Sequence, residues 1–131
     1  MSKQAILCVD DEALILESLE KQLRKAFKNT YLYEFAESAD EALETIEELY
    51  ENNINIIVII SDWLMPGIRG DEFLIEVHQK FPNIIKIILT GQADEAAIER
   101  AKKQANLHSW LPKPWNGEEL IKSIQSGLAK L

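Results

Sequence analysis

Ile54-Asn55-Ile56-Ile57-Val58-Ile59-Ile60-Ser61-Asp62-Trp63-Leu64-Met65-Pro66-Gly67 is the stretch that decides the fold. It is a near-continuous run of β-branched apolar residues that stops on a carboxylate and enters a turn. The run is too short to span a membrane and has no polar alternation. It reads as a central parallel strand covered by helices on both faces. Open α/β sheets bind ligands beyond the carboxyl ends of their strands, where Asp62 would stand.

Outward from this strand, a strand pattern and a helix pattern alternate through five repeats, which predicts a doubly wound α/β fold around a five-stranded parallel sheet. Ala5 to Val9 is the first strand and ends on Asp10-Asp11-Glu12. Leu14, Ile15, Leu19, Leu23 and Phe27 recur at helical spacing over about 13–27. Tyr31, Tyr33 and Phe35 alternate with Glu34, the pattern of an edge strand with one wet side. Ser38 with Glu41 marks the start of a helix over about 39–51. A helix over about 71–81 buries Phe73, Leu74 and Val77, and Ile84 to Leu89 is a second strongly apolar strand closed by Thr90-Gly91. The charged helix at 94–105 has a thin apolar stripe of Ala97, Ile98 and Ala101, so few contacts should hold it. Leu107 to Leu111 is the last strand, at an edge because Pro112 and Pro114 follow it. Asn116 caps a final helix that runs to about 130.

The 131 residues fit one domain with a core that needs no disulfide. A net charge of −8 argues against direct binding of nucleic acid and against anionic membranes. A single cysteine, Cys8, sits in an apolar strand, fits a reducing compartment and reads as packing. With no signal-peptide core and no apolar stretch of membrane length, the expected location is the cytoplasm.

Four strands end on polar groups: Asp10-Asp11, Asp62, Thr90 and Lys113. In a doubly wound sheet these ends share one edge. Two carboxylates about 4 Å apart repel by about 4 kcal/mol at an effective dielectric near 20. Either their pKa values rise or a cation neutralises them. Oxygen donors without His or Cys favour a hard ion, and Mg2+ suits a site that also holds a phosphate. Lys113 supplies a point charge and Thr90 a hydroxyl donor for phosphoryl oxygens, and a carboxylate beside them can act as a nucleophile.

These residues resemble the receiver domain of two-component response regulators, the CheY-like domains, from Gln4 to Leu131. The matching elements are Val9-Asp10-Asp11-Glu12, Ser61 to Gly67, Leu89-Thr90-Gly91 and Leu111-Pro112-Lys113-Pro114-Trp115. Each alone is common; all four in this order, each at a strand end, are specific. The resemblance implies a flavodoxin-like sheet of order 2-1-3-4-5 with five helices on its two faces, residues 1–131 forming one receiver domain. It implies that Asp62 takes a phosphoryl group from the phosphohistidine of a sensor histidine kinase. Mg2+ would be bound by Asp11, Asp62 and the Leu64 backbone carbonyl, with Asp10 acting through water. Thr90 would be the switch hydroxyl, Lys113 the phosphate partner, and Gly91 and Met65 part of the loops around the phosphate. The Lys113-Pro114 peptide would be cis. An output domain or downstream protein would read the face made by the 94–105 helix, the 107–111 strand and the 116–130 helix. Such a domain catalyses only its own phosphotransfer and slow autodephosphorylation. Trp110 stands where the family carries Tyr or Phe as its switch aromatic, and Leu64 replaces a residue that is often polar.

Taken singly, Asp10 and Asp11 read as helix caps, Thr90-Gly91 as a strand end and Lys113 as a solvated amine. Trp63 and Trp115 read as packing residues, and His78 and His108 lack metal-ligand spacing. A Mg2+-dependent phosphohydrolase needs a second Asp two residues after its nucleophile, where this chain has Leu64. A dinucleotide-binding domain needs a Gly-x-Gly-x-x-Gly that follows no strand here. An interaction module independent of phosphorylation would have no use for the acidic set and Lys113.

Overall fold

The computed structural model describes residues 3–92 and 94–131. Among them, five strands and five helices alternate: β1 (Lys3–Val9), α1 (Ala13–Phe27), β2 (Leu32–Ala36), α2 (Ala39–Glu51), β3 (Ile54–Asp62), α3 (Gly70–Lys80), β4 (Ile85–Thr90), α4 (Glu95–Gln104), β5 (Ser109–Pro112) and α5 (Gly117–Leu128). The strands pair in parallel in the order β2-β1-β3-β4-β5. This is the flavodoxin-like arrangement.

The apolar run of β3 is buried from Ile56 to Asp62 because it lies at the centre of the sheet with a core on each side. One core packs α2, α3 and α4 through Ala42, Ile46, Phe73, Leu74, Ala97 and Ile98. The other packs α1 and α5 through Leu19, Leu23, Leu120 and Ile124. From Val58 onward successive residues alternate between the two, as the pleat requires: Val58 and Ile60 face the second core, Ile59 the first. Cys8 is fully buried, and burial pushes its thiol far above the ordinary range, so it packs as an apolar side chain.

Local chemistry sets the helix starts. The Ser38 hydroxyl accepts from Glu41 N, the Asp94 carboxylate from Ala96 N and Ala97 N, and the Asn116 side chain from Glu118 N and Glu119 N.

Two sequence expectations are corrected, and two contacts are added to the others. Leu14 is 78% exposed, and Leu16 takes its place in the core, because Leu16, Leu19 and Leu23 share one helical face. β1 begins at Lys3 and β5 runs Ser109–Pro112, so Leu107 is buried ahead of the strand. Lys86, read as part of an apolar strand, is fully buried; its amine donates to the Ile84 carbonyl at 2.8 Å and lies 3.1 Å from His78 Nδ1, and burial pushes it down to about 8. Finally, α4 is held by more than its apolar stripe: Arg100 Nη1 donates to Asp71 Oδ2 at 2.9 Å.

Candidate functional site

The register builds the site. Val9 lies beside Ser61, Asp62 beside Leu89, and Thr90 beside Pro112. One residue further along, Asp10, Asp62, Thr90 and Lys113 therefore meet at the carboxyl edge of the sheet. Asp10, Asp62 and Thr90 are buried, whereas Asp11 is exposed at the mouth.

Carboxylate oxygens of Asp10, Asp11 and Asp62 all lie within 4.8 Å of one another. Asp10 Oδ1 accepts from Glu12 N at 2.9 Å, which fixes its side chain. Lys113 Nζ donates to Asp10 Oδ2 at 2.7 Å and lies 3.2 Å from Asp62 Oδ1. Its backbone N donates to the Thr90 carbonyl at 2.9 Å, so the β4 and β5 tips are tied together. The Lys113-Pro114 peptide is cis.

Charge crowding shows in the titration of these groups. Burial comes first and Asp10 second in pushing the Asp62 carboxyl up to about 6; Lys113 opposes the rise and Asp11 adds to it. Burial works against the charge on Lys113, but the hydrogen bond to Asp10 and the fields of Asp62 and Asp10 outweigh it and hold the amine above its ordinary range. Three oxygen donors in this space form a cluster that could hold a metal ion. The donor set, free of nitrogen and sulfur, fits a hard divalent cation.

Three outcomes are expected. Asp62 takes up a proton as pH falls through about 6, so divalent-ion binding, followed by titration calorimetry, should weaken steeply between about pH 7 and about pH 5. The same raised pKa means that ionising Asp62 costs the metal-free fold stability as pH rises from about 4 to about 6. Asp11→Ala removes one repelling charge from the exposed mouth. It should raise the metal-free melting temperature by about 2–4 °C and abolish the rise that Mg2+ gives the parent; a fall without metal would show that the carboxylates are not in conflict.

The remaining expected residues are distributed around this cluster. The Thr90 hydroxyl donates to the Gln92 carbonyl at 2.5 Å and accepts from Gln92 N at 3.0 Å, so it is turned to its own loop. Gly91 has nothing within 4 Å of where a Cβ would stand. Met65 is buried in the first core, whereas the Leu64 side chain is 54% exposed beside the site. Trp110, on β5, is 37% exposed.

Sequence reasoning missed how the chain after Asp62 is held. Trp63 N donates to the Leu89 carbonyl at 3.1 Å, and Gly70 N donates to the Trp63 carbonyl at 2.7 Å. A Cβ on Gly70 would stand 2.0 Å from the Asp62 carbonyl oxygen, so only glycine lets α3 start this close to the acidic strand tip. Asp71 is fully buried, and its Oδ1 accepts from Trp63 Nε1 at 2.9 Å. The Gly70-Asp71 pair had a sequence signal, a breaker followed by an acid at a helix start, but it pointed to a turn and not to these partners.

Comparison with known proteins agrees with this arrangement. The family described as "Response regulator receiver domain" matches residues 6–125. The hydrogenase transcriptional regulatory protein HoxA of Cupriavidus necator is 32% identical over 127 residues, covering 96% of this chain and 24% of HoxA. The chain spans about a quarter of the length of the HoxA and NtrC relatives it matches. Among solved structures, the signal receiver domain of an HD domain-containing protein from Pseudomonas fluorescens is 29% identical with a TM-score of 0.85, covering 98% of this chain and 96% of that one. A response regulator receiver domain protein (CheY-like) from Methanospirillum hungatei is likewise 29% identical, with a TM-score of 0.84 and the same coverage.

Proposed function

The chain belongs to the response regulator receiver domain family, and from that premise we propose that it is a signalling switch driven by phosphorylation of Asp62. The observation that carries the reading is the Lys113 amine, 2.7 Å from Asp10 and 3.2 Å from Asp62 inside a cluster of three carboxylates. A cation fixed against acids at a strand tip suits a phosphoryl group that arrives with further negative charge.

In this reading the donor is the phosphohistidine of a sensor histidine kinase. Asp62, with its carboxyl at about 6, is ionised at neutral pH. One of its oxygens bonds to phosphorus as the P–N bond breaks, and the electron pair leaves on the histidine nitrogen, which takes up a proton. Mg2+ held by Asp11, Asp62 and the Leu64 backbone carbonyl, with Asp10 acting through water, would offset the charge that gathers at phosphorus. Lys113 stays with the phosphoryl oxygens, and Thr90 leaves the Gln92 carbonyl to donate to one of them. Gly91 and Met65 lie in the loops that close around it. The new group brings a charge of roughly −2. Its pull on Thr90 and Lys113 alters the face made by α4, β5 with Trp110, and α5, where an output domain or partner protein reads the change. Residues 1–131 act as one receiver unit in the cytoplasm, without direct contact to nucleic acid or membrane. The unit catalyses only its own phosphorylation and the slow hydrolysis that resets it.

Beryllofluoride, which mimics a phosphoryl group on a carboxylate, tests this. Mg2+ and beryllofluoride together should shift the amide signals of α4 as well as those of Thr90 and Lys113, whereas Mg2+ alone should shift only those beside the acidic cluster and beryllofluoride alone none. A spectrum unmoved by the pair would rule the switch out.

A further inference from the structure

Asp71 has no part in the phosphoryl chemistry, yet it is a fully buried carboxylate placed between the acceptor loop and α4. Its Oδ1 accepts from the indole of Trp63, the residue that follows Asp62, and its Oδ2 accepts from Arg100 Nη1 of α4, both at 2.9 Å. A second guanidinium stands by. Arg69 Nε lies 3.5 Å from Asp71 Oδ1, and among the described residues it is the buried side-chain nitrogen that makes no hydrogen bond. Its Nη2 is held 2.9 Å from Glu72 Oε1. A buried carboxylate stripped of its cation is expensive, and a guanidinium already in reach lowers that cost.

We propose that Asp71 is a positioning residue which latches α4 to the loop carrying Asp62 and Leu64 through Arg100, and that Arg69 takes over from Arg100 when α4 moves. The proposal rests on the phosphorylation reading above and adds its mechanical link. In the structure Thr90 is bonded within its own loop to Gln92, just ahead of α4, while Arg100 is engaged. Turning Thr90 to the phosphoryl group draws on the segment that leads into α4, and Arg100 is the polar tie that resists. The latch therefore favours the arrangement with Thr90 turned to Gln92, and Arg69 favours the released one. Linkage makes the coupling reciprocal: a partner that lifts α4 strengthens ligand binding at Asp62 by the same factor.

Two substitutions of partly exposed arginines test this while leaving Asp71 itself in place. Beryllofluoride is titrated at fixed Mg2+ and followed by the α4 amide and Trp63 indole signals. Arg100→Ala should lower the midpoint about fivefold, and Arg69→Ala should raise it by a similar factor. Opposite signs are the mark of an exchange; shifts in one direction, or none, would overturn it, since a merely structural network weakens alike from either side. If the parent protein itself does not respond, the phosphorylation reading fails, and the latch is judged in the ligand-free protein. There Arg100→Ala should speed amide exchange in α4 about fivefold and move the Trp63 indole signal; unchanged exchange and an unmoved indole would end it.

Discussion

Asp62→Asn is expected to reduce phosphoryl incorporation from a small-molecule phosphodonor to background while leaving the fold intact or slightly stabilised. The amide is nearly isosteric with the carboxylate, so packing at this buried position is preserved. Its oxygen is no longer an anionic nucleophile, and an acyl phosphate at this position is lost. The stability half of the outcome follows from what surrounds the side chain. Burial first, then Asp10 and to a smaller extent Asp11, raise the Asp62 carboxyl, which means that the folded state strains to keep it ionised. Neutralising it removes that strain. Lys113 loses one partner but keeps the shorter bond, 2.7 Å to Asp10. Activity lost alongside a melting temperature unchanged or higher by about 2–4 °C would separate the chemical role from misfolding. Labelling that persists in Asp62→Asn would refute the assignment.

Gly70→Ala should be the most damaging conservative substitution near the site. The added methyl would stand 2.0 Å from the Asp62 carbonyl oxygen, 2.9 Å from Trp63 Cα and 3.0 Å from the Asp62 carbonyl carbon. All three are backbone atoms and cannot rotate away. The Gly70 N to Trp63 carbonyl bond of 2.7 Å pins the two segments at that distance. Relief requires α3 to move away from the strand tip, which breaks this bond and disturbs the Asp71–Trp63 contact. A loss of about 3 kcal/mol or more is expected, measured by urea unfolding. Mg2+ binding should weaken with it, because the Asp62–Leu64 backbone shifts. Gly91→Ala is the control: nothing lies within 4 Å of its added methyl, so its effect should stay within about 0.5 kcal/mol. Equal stability of the two variants would show that the close approach at Gly70 does not position the acceptor.

The parts of this molecule legible in the sequence were those set by uninterrupted patterns. The run from Ile56 to Ile60 could only be a strand buried on both faces, and its end on Asp62 placed the acid at the ligand edge of the sheet. Parallel register then brought Asp10, Thr90 and Lys113 beside it without further information. Illegible were choices between neighbours and contacts across distance. Leu14 and Leu16 are both apolar, and only the phase of the helix decides that Leu16 goes inward. The Asp71–Arg100 pair joins residues 29 apart on different helices, so no local spacing announces it. Lys86 escaped notice because its amine finds the Ile84 carbonyl and His78 inside a strand that is otherwise apolar. Leu64 and Trp110 were seen as departures from the family pattern, and their exposure places both on surfaces that a partner or water reaches.

The most direct measurement is to treat the protein with a small-molecule phosphodonor, with and without Mg2+, and to map the phosphoryl group by peptide mass spectrometry. A single modified peptide containing Asp62, formed only when Mg2+ is present, is the expected result. Label on another residue, label that forms equally without the metal, or no label at all would contradict a site in which three acids and one lysine converge to phosphorylate Asp62.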